Sequence, residues 1–180
     1  MVFRIKMSNL LKKLAGGDRR SIGRVAEVVG DVSENAALIE DLVDGLFVED
    51  PVVRMRAADV LEKVTVNHPE YLQPYKTKML MLAAKTGQQE VRWHIAQMVP
   101  RLSLTSKEFN RVVDILFDYL GDKSNIVVTF SLQALADLAT QNNSLRIRVL
   151  GVLEQLTQTG SPAVKNRGKK LLAQLNEPVS

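Results

Sequence analysis

The chain is 180 residues long, with 46% apolar and 24% charged residues, a net charge of +4 and no cysteine. That composition excludes a disordered chain, a disulfide framework and any thiolate metal centre. The apolar windows are too short and too interrupted by charge for a membrane span, and the first residues lack the long apolar run of a secretory signal. The expectation is a cytoplasmic protein.

Helical periodicity organises the chain from near its start. Residues 8–31 read as a degenerate first helix pair, 8–15 and 18–30, that caps the rest. Gly16-Gly17 lies between them as a plain turn, since it lacks the spacing of a phosphate-binding loop and follows no strand. A second pair covers 34–66. Its first helix, 34–48, carries Leu38, Leu42, Val43 and Leu46 at helical spacing. Its second, 51–66, opens on Asp50-Pro51, an N-cap followed by proline where a missing N–H does no harm. The third pair, 69–100, has helices 69–86 and 88–100. Asn67 and Glu70 stand at capping-box spacing before it, and Pro74 is expected to split off its first turn. The fourth pair, 106–140, has helices 106–120, announced by Thr105 and Glu108, and 123–140. The fifth, 144–175, has helices 144–158 and 162–175, the latter opening on Ser161-Pro162. Gly87, Gly121 and Gly160 mark inter-helix turns, where positive φ is easily accommodated. Sustained two-residue alternation is absent, so no strand is expected.

The pairs are copies of one unit. Leu42, Met79, Leu116 and Leu153 follow one another at 37 residues, as do Leu38, Tyr75, Val112 and Val149, and Gly45, Leu82, Tyr119 and Leu156. In the second helices Val53, Val91, Val127 and Val164 stand 38, 36 and 37 apart. A helical unit of that length cannot bury its own apolar face and must stack on its neighbours.

At Asp50-Pro51-Val52-Val53-Arg54-Met55-Arg56-Ala57-Ala58-Asp59-Val60-Leu61 the chain resembles a HEAT repeat. Val91-Arg92 and Val164-Lys165 carry fainter versions, Val127-Val128 lacks the basic residue, and Gln88-Gln89 replaces Asp-Pro. The resemblance covers about residues 34–175. It implies an all-α, right-handed α-α superhelix of about five helix pairs, forming one domain over 1–180. It also implies that Asp50, Arg54, Arg92 and Lys165 tie adjacent turns together. For function it points several ways, because HEAT proteins serve as phosphatase scaffolds, transport receptors and phycobilin lyase subunits.

No residue set specifies a reaction. His68 and His94 lie apart, with no second ligand at metal spacing, and neither GxSxG nor HExxH occurs. No catalysis, metal or cofactor is expected. His94 is expected to pack against the next repeat. If Val53, Ala57, Leu61 and Val64 form the buried stripe of helix 51–66, then Met55, Asp59 and Lys63 point away from it. The same rule gives Trp93, Gln97 and Arg101, then Thr129, Gln133 and Asp137, then Asn166, Lys170 and Gln174 in the later second helices. A tryptophan beside a methionine on a polar ridge is a candidate anchor for a partner protein. The alternative for Trp93 is a side chain folded sideways to seal a repeat boundary.

The leading expectation is therefore a monomeric, non-catalytic protein-binding scaffold. It would recognise its partner through Trp93 and Met55, with Arg56, Asp59, Gln97 and Arg101 around them. The competing expectation is nucleic-acid binding through Lys12, Lys13, Arg19 and Arg20 at one end and Lys165, Arg167, Lys169 and Lys170 at the other. HEAT-like DNA glycosylases for alkylated bases share the implied architecture and use tryptophans with an acid, for which Trp93 and Asp59 are the nearest counterparts here. A bilin-handling lyase subunit follows from the resemblance alone.

Overall fold

The computed structural model describes residues 7–18, 20–140 and 142–177. Among the described residues every regular element is helical and no strand occurs, as the periodicity predicts. None of these helices is long and apolar enough to cross a membrane. The chain divides into two compact units, Met1–Ser103 and Leu104–Ser180.

The first unit contains α1 (Asn9–Leu14), α2 (Val25–Glu34), α3 (Ile39–Gly45), α4 (Pro51–Thr65), α5 (Lys76–Lys85) and α6 (Gln89–Met98). The starts obey local chemistry. Ser8 Oγ accepts from the Leu11 N–H at 3.3 Å, and Asp50 Oδ1 from the Val52 N–H at 2.8 Å ahead of Pro51. Pro74 acts as expected: Pro69–Tyr75 is a 3₁₀ stretch, and the α-helix begins only after it. Several features differ from the sequence reading: the helix expected over 34–48 is a 3₁₀ turn, Ala36–Leu38, followed by α3, and the one expected over 88–100 ends at Met98 before a 3₁₀ turn, Val99–Arg101. The predicted capping box at Asn67 is absent, because the chain enters the 3₁₀ stretch through His68 with no side-chain cap. The helix predicted from residue 18 begins at Val25, and an open loop precedes it.

α4 is the hub of this unit, packing on α1, α2, α3 and α6. Its neighbours are tied by polar side chains as well as by apolar contact. Arg54 Nη1 donates to the carbonyls of Val48 and Glu49 at 2.8 and 2.9 Å, and Arg54 Nε donates to Gln88 Oε1 at 2.8 Å. Gln88 Nε2 returns a bond to the Pro51 carbonyl at 2.8 Å, and Arg92 Nε donates to the Thr86 carbonyl at 2.8 Å. Arg54 thus ties the turn before α4 to the turn before α6, whereas Asp50 only caps α4, Arg92 binds the turn that leads into its own helix, and Lys165 makes no corresponding side-chain tie among the described residues.

α1 and α2 share an ion cluster. Lys13 Nζ lies 2.6 Å from Asp31 Oδ2 and 2.9 Å from Glu27 Oε1, and Arg24 Nε lies 2.6 Å from Glu27 Oε2. Hydrogen bonds from Arg24, then from Lys13, hold the Glu27 carboxyl down at about 2. Such a depressed carboxyl contributes stability above its unfolded value, and that contribution fades as pH falls toward 2. Its partners are solvent-exposed, so the gain is small. An NMR titration of the side-chain carboxyl carbons should find the Glu27 midpoint at about 2. A midpoint near the ordinary value of about 4.3 would show the cluster does not persist in solution.

The second unit contains α7 (Ser106–Tyr119), α8 (Asn125–Ala139), α9 (Asn143–Thr159) and α10 (Pro162–Asn176). Thr105 and Glu108 form the predicted capping box, and Ser124, Asn142 and Ser161 cap the other three helices through their side chains. α8 packs on α7, α9 and α10, and α9 packs on α10.

One 37-residue register and the valine series of the second helices mark the core of both units, whereas Leu38, Tyr75 and Leu156 of the other two registers are only half-buried. Leu42, Met79, Leu116 and Leu153 are at most 1% exposed, and Val53, Val91, Val127 and Val164 at most 2%. Of the predicted turn glycines, Gly87, Gly121 and Gly160 keep negative φ. The positive values fall instead on Gly16, Gly17 and Gly23, at 80°, 73° and 54°.

Candidate functional site

The loop between α1 and α2 is shaped by one residue of α4. Arg56 is buried, at 2% exposure, and its guanidinium meets backbone carbonyls only. Nη1 donates to the carbonyls of Leu14 (2.8 Å) and Gly16 (2.7 Å). Nη2 donates to those of Asp18 (3.2 Å) and Ser21 (3.0 Å), and Nε to that of Ser21 (3.1 Å). The positive φ values let the loop curl so that its oxygens converge on one cation. Gly23 is also sterically required: a Cβ there would stand 2.8 Å from Arg56 Cζ. The C-terminal end of α1 contributes the Leu14 oxygen, where a helix dipole favours positive charge.

This clamp holds the loop beside the outer faces of α4 and α6, and the three segments enclose a concavity of about 270 Å³. Arg20, Ser21 and Ile22 line it from the loop, Met55, Arg56, Asp59 and Lys63 from α4, and Trp93 and His94 from α6. Ile22 is 61% exposed, an apolar side chain left standing at the rim. Met55 is buried, Trp93 half-buried, and the Trp93 and His94 rings sit 5.7 Å apart in a tilted pair. Asp59 and Lys63 form an ion pair one turn apart on α4. Burial pushes the His94 imidazole pKa down, outweighing the pull of Asp59 and Glu62. His94 Nδ1 is covered and has no hydrogen-bond partner, which favours the neutral ring with its proton on Nε2.

Of the six residues expected to form a binding ridge, Met55, Asp59 and Trp93 do come together around this concavity, but Met55 is buried, at 7% exposure, and not on an exposed ridge. Arg56 lines it too, but as a buried clamp rather than an exposed contact. Its guanidinium is fully engaged by the loop. Gln97 and Arg101 are placed elsewhere. Gln97 Nε2 donates to the Trp93 carbonyl within α6 at 3.1 Å. Arg101 binds back to α4, donating to the Glu62 carbonyl (2.8 Å), Glu62 Oε1 (2.5 Å) and Thr65 Oγ1 (2.9 Å). Ile22 and His94 are members of the site that the ridge rule does not reach. For His94, its position directly after Trp93 is the one signal in the sequence that could have found it.

The basic residues fare unevenly. Lys13 is engaged by Asp31 and Glu27, Lys12 bonds to Asn9, and Arg19 lies outside the described residues. Arg20 is exposed at the concavity. On α10, Arg167 Nη1 donates to Gln133 Oε1 at 2.7 Å and Lys165 is half-buried, leaving Lys169 and Lys170 exposed. In the same unit Gln133 Nε2 donates to Asp137 Oδ1, while burial pushes the Asp137 carboxyl pKa up. His68 pairs with Glu70 and stacks on Tyr71, away from the concavity. Among the described residues no cluster of three or more His, Cys, Asp or Glu side chains is placed to hold a metal ion.

No family model matches the chain, and no curated protein matches it. Among solved structures it is similar to the crystal structure of an engineered protein from the Northeast Structural Genomics Consortium. The TM-score is 0.61 at 20% identity, over 92% of this chain and 77% of that one. At that identity the likeness concerns the fold alone, an all-α architecture of tandem helix pairs.

Proposed function

We propose that the chain is a non-catalytic, HEAT-type protein-binding module acting in the cytoplasm, and that the concavity of the first unit is its contact site. One observation carries this reading. A half-buried tryptophan, a buried methionine and an exposed isoleucine share one concave surface with charged groups at its edge. That combination of apolar anchor and polar rim is the usual anatomy of a protein-docking hot spot. The clamp on the loop supports it, because a rim that is already ordered loses little freedom on binding.

The test uses a partner captured from cells of the source organism. Trp93→Ala should weaken its affinity by well over tenfold, since truncating such an anchor costs roughly 2 kcal/mol or more. The melting temperature should stay nearly unchanged. A sharp fall in melting would show that Trp93 seals the packing of α4 and α6. Unchanged affinity with an intact fold would move the contact site elsewhere. Salt-sensitive binding of double-stranded DNA, lost on neutralising Lys169 and Lys170, would favour the nucleic-acid reading instead.

A further inference from the structure

The charges around the concavity are unequal. Arg20, Arg56 and Lys63 face it with one carboxylate, Asp59, and that carboxylate is held by Lys63. His94 adds no charge, being held neutral by its burial. Asp18, in the same loop, accepts from the Arg20 N–H at 2.8 Å and offsets part of this excess, so the balance among these groups stays positive by one charge. Arg56 is solvated by carbonyl dipoles, which stabilise its charge without cancelling it at longer range, and it acts from a buried position where screening is weak. Arg20 is exposed at the mouth, and its side chain has no partner among the described residues. Its neighbour at the rim is Ile22, and the walls beyond are Met55 and Trp93.

From this arrangement we infer that the concavity takes an acidic peptide segment carrying a bulky apolar residue. The apolar side chain enters against Trp93, Met55 and Ile22, and flanking carboxylates lie toward Arg20 and the positive field of Arg56. The inference rests on the protein-binding reading above and specifies the partner's chemistry. The concavity, about 270 Å³ and open to solvent, has room for a large side chain presented by an extended stretch or a loop. Charge complementarity selects among such stretches: a basic one meets like charge from Arg20 and Arg56.

The chain has a single tryptophan, so its emission reports the site directly. Three acetylated and amidated hexapeptides serve as probes: Glu-Asp-Leu-Phe-Asp-Glu, its neutral form Ser-Asn-Leu-Phe-Asn-Ser, and its basic form Lys-Arg-Leu-Phe-Arg-Lys. The acidic peptide should shift the Trp93 emission and bind about tenfold more tightly than the neutral one at low salt, with the advantage shrinking as salt rises. Arg20→Glu should erase that advantage, bringing the ratio of acidic to neutral affinity to about one or below. Ile22→Ser, at an exposed position, should weaken the acidic and neutral peptides alike. Equal binding of acidic and neutral peptides, or preference for the basic one, would overturn the inference and leave the protein-binding reading standing. No emission change with any peptide would also overturn it. The broader reading fails separately, if a captured partner binds Trp93→Ala as well as the unmodified chain.

Discussion

Replacing Arg56 with methionine will destabilise the first unit by about 3 kcal/mol or more, on the scale of two or more lost hydrogen bonds to a charged group. Methionine fills much of the same volume, so the loss measures the hydrogen bonds rather than a cavity. Four carbonyls, those of Leu14, Gly16, Asp18 and Ser21, lose their donor at once. Water can reach several of them in the opened loop, which keeps the loss below the sum of the separate bonds. The bond to Leu14 is buried, and that oxygen has the least chance of replacement. Arg56→Lys should recover only part of the loss, because an ammonium has no planar fork to serve carbonyls on several sides. Urea unfolding measures the total, and amide exchange in α1 and in residues 20–24 locates it. A loss below about 1 kcal/mol, with exchange unchanged, would mean the guanidinium is dispensable and the loop is held by something else.

Leu116→Ala will cost roughly 2–5 kcal/mol, the range for a buried leucine cut to alanine. Leu116 is 1% exposed on α7, in the register shared with Leu42, Met79 and Leu153. The spread within that range depends on how far α7 and α8 can close over the missing methyls. Interiors are packed too tightly for much collapse, which favours the upper half. Urea unfolding that shows less than about 1 kcal/mol would remove Leu116 from the core and discredit the 37-residue register with it.

These two residues also mark the boundary of what is legible in the chain. The burial of Leu116 comes from periodicity alone, because a residue repeated at one register of one helical unit must meet the same neighbours in each copy. The same holds for Val53, Val91, Val127 and Val164, and for the caps at Asp50, Thr105 and Ser161, whose chemistry acts within three residues. Arg56 is different. It lies three positions after Val53 and precedes Ala57-Ala58, so its place on the helix is on the buried side, yet arginine is seldom fully buried. What reverses the expectation is a set of carbonyl directions in a loop far away in sequence. Those depend on the φ values of Gly16, Gly17 and Gly23, which composition does not display. Gly16-Gly17 reads as a turn and forms one, but a turn's residues do not say what the turn surrounds. The site is legible by half for the same reason. Trp93, Met55 and Asp59 lie on helices whose faces can be counted, whereas Ile22 and Arg20 enter it from the loop. The ridge rule misplaces Arg101 because α6 ends at Met98 and Val99–Arg101 is a 3₁₀ turn, where the α-helical face count no longer holds.

The Arg56 clamp also sets an order of events during synthesis. Its bonds join residues 35 to 42 positions apart, so the carbonyls leave the ribosome well before the group that secures them. At about 5–20 residues per second the interval is seconds, long against helix formation, which takes about a microsecond or less. Through that interval α1 is a six-residue helix, far below the length of about 12 residues at which an isolated helix holds in water. Helix α1 and its glycine loop therefore cannot act as a template for the helices made after them. They are completed backward, once α4 has emerged, and nascent chains shorter than that should leave both open to proteases and chaperones.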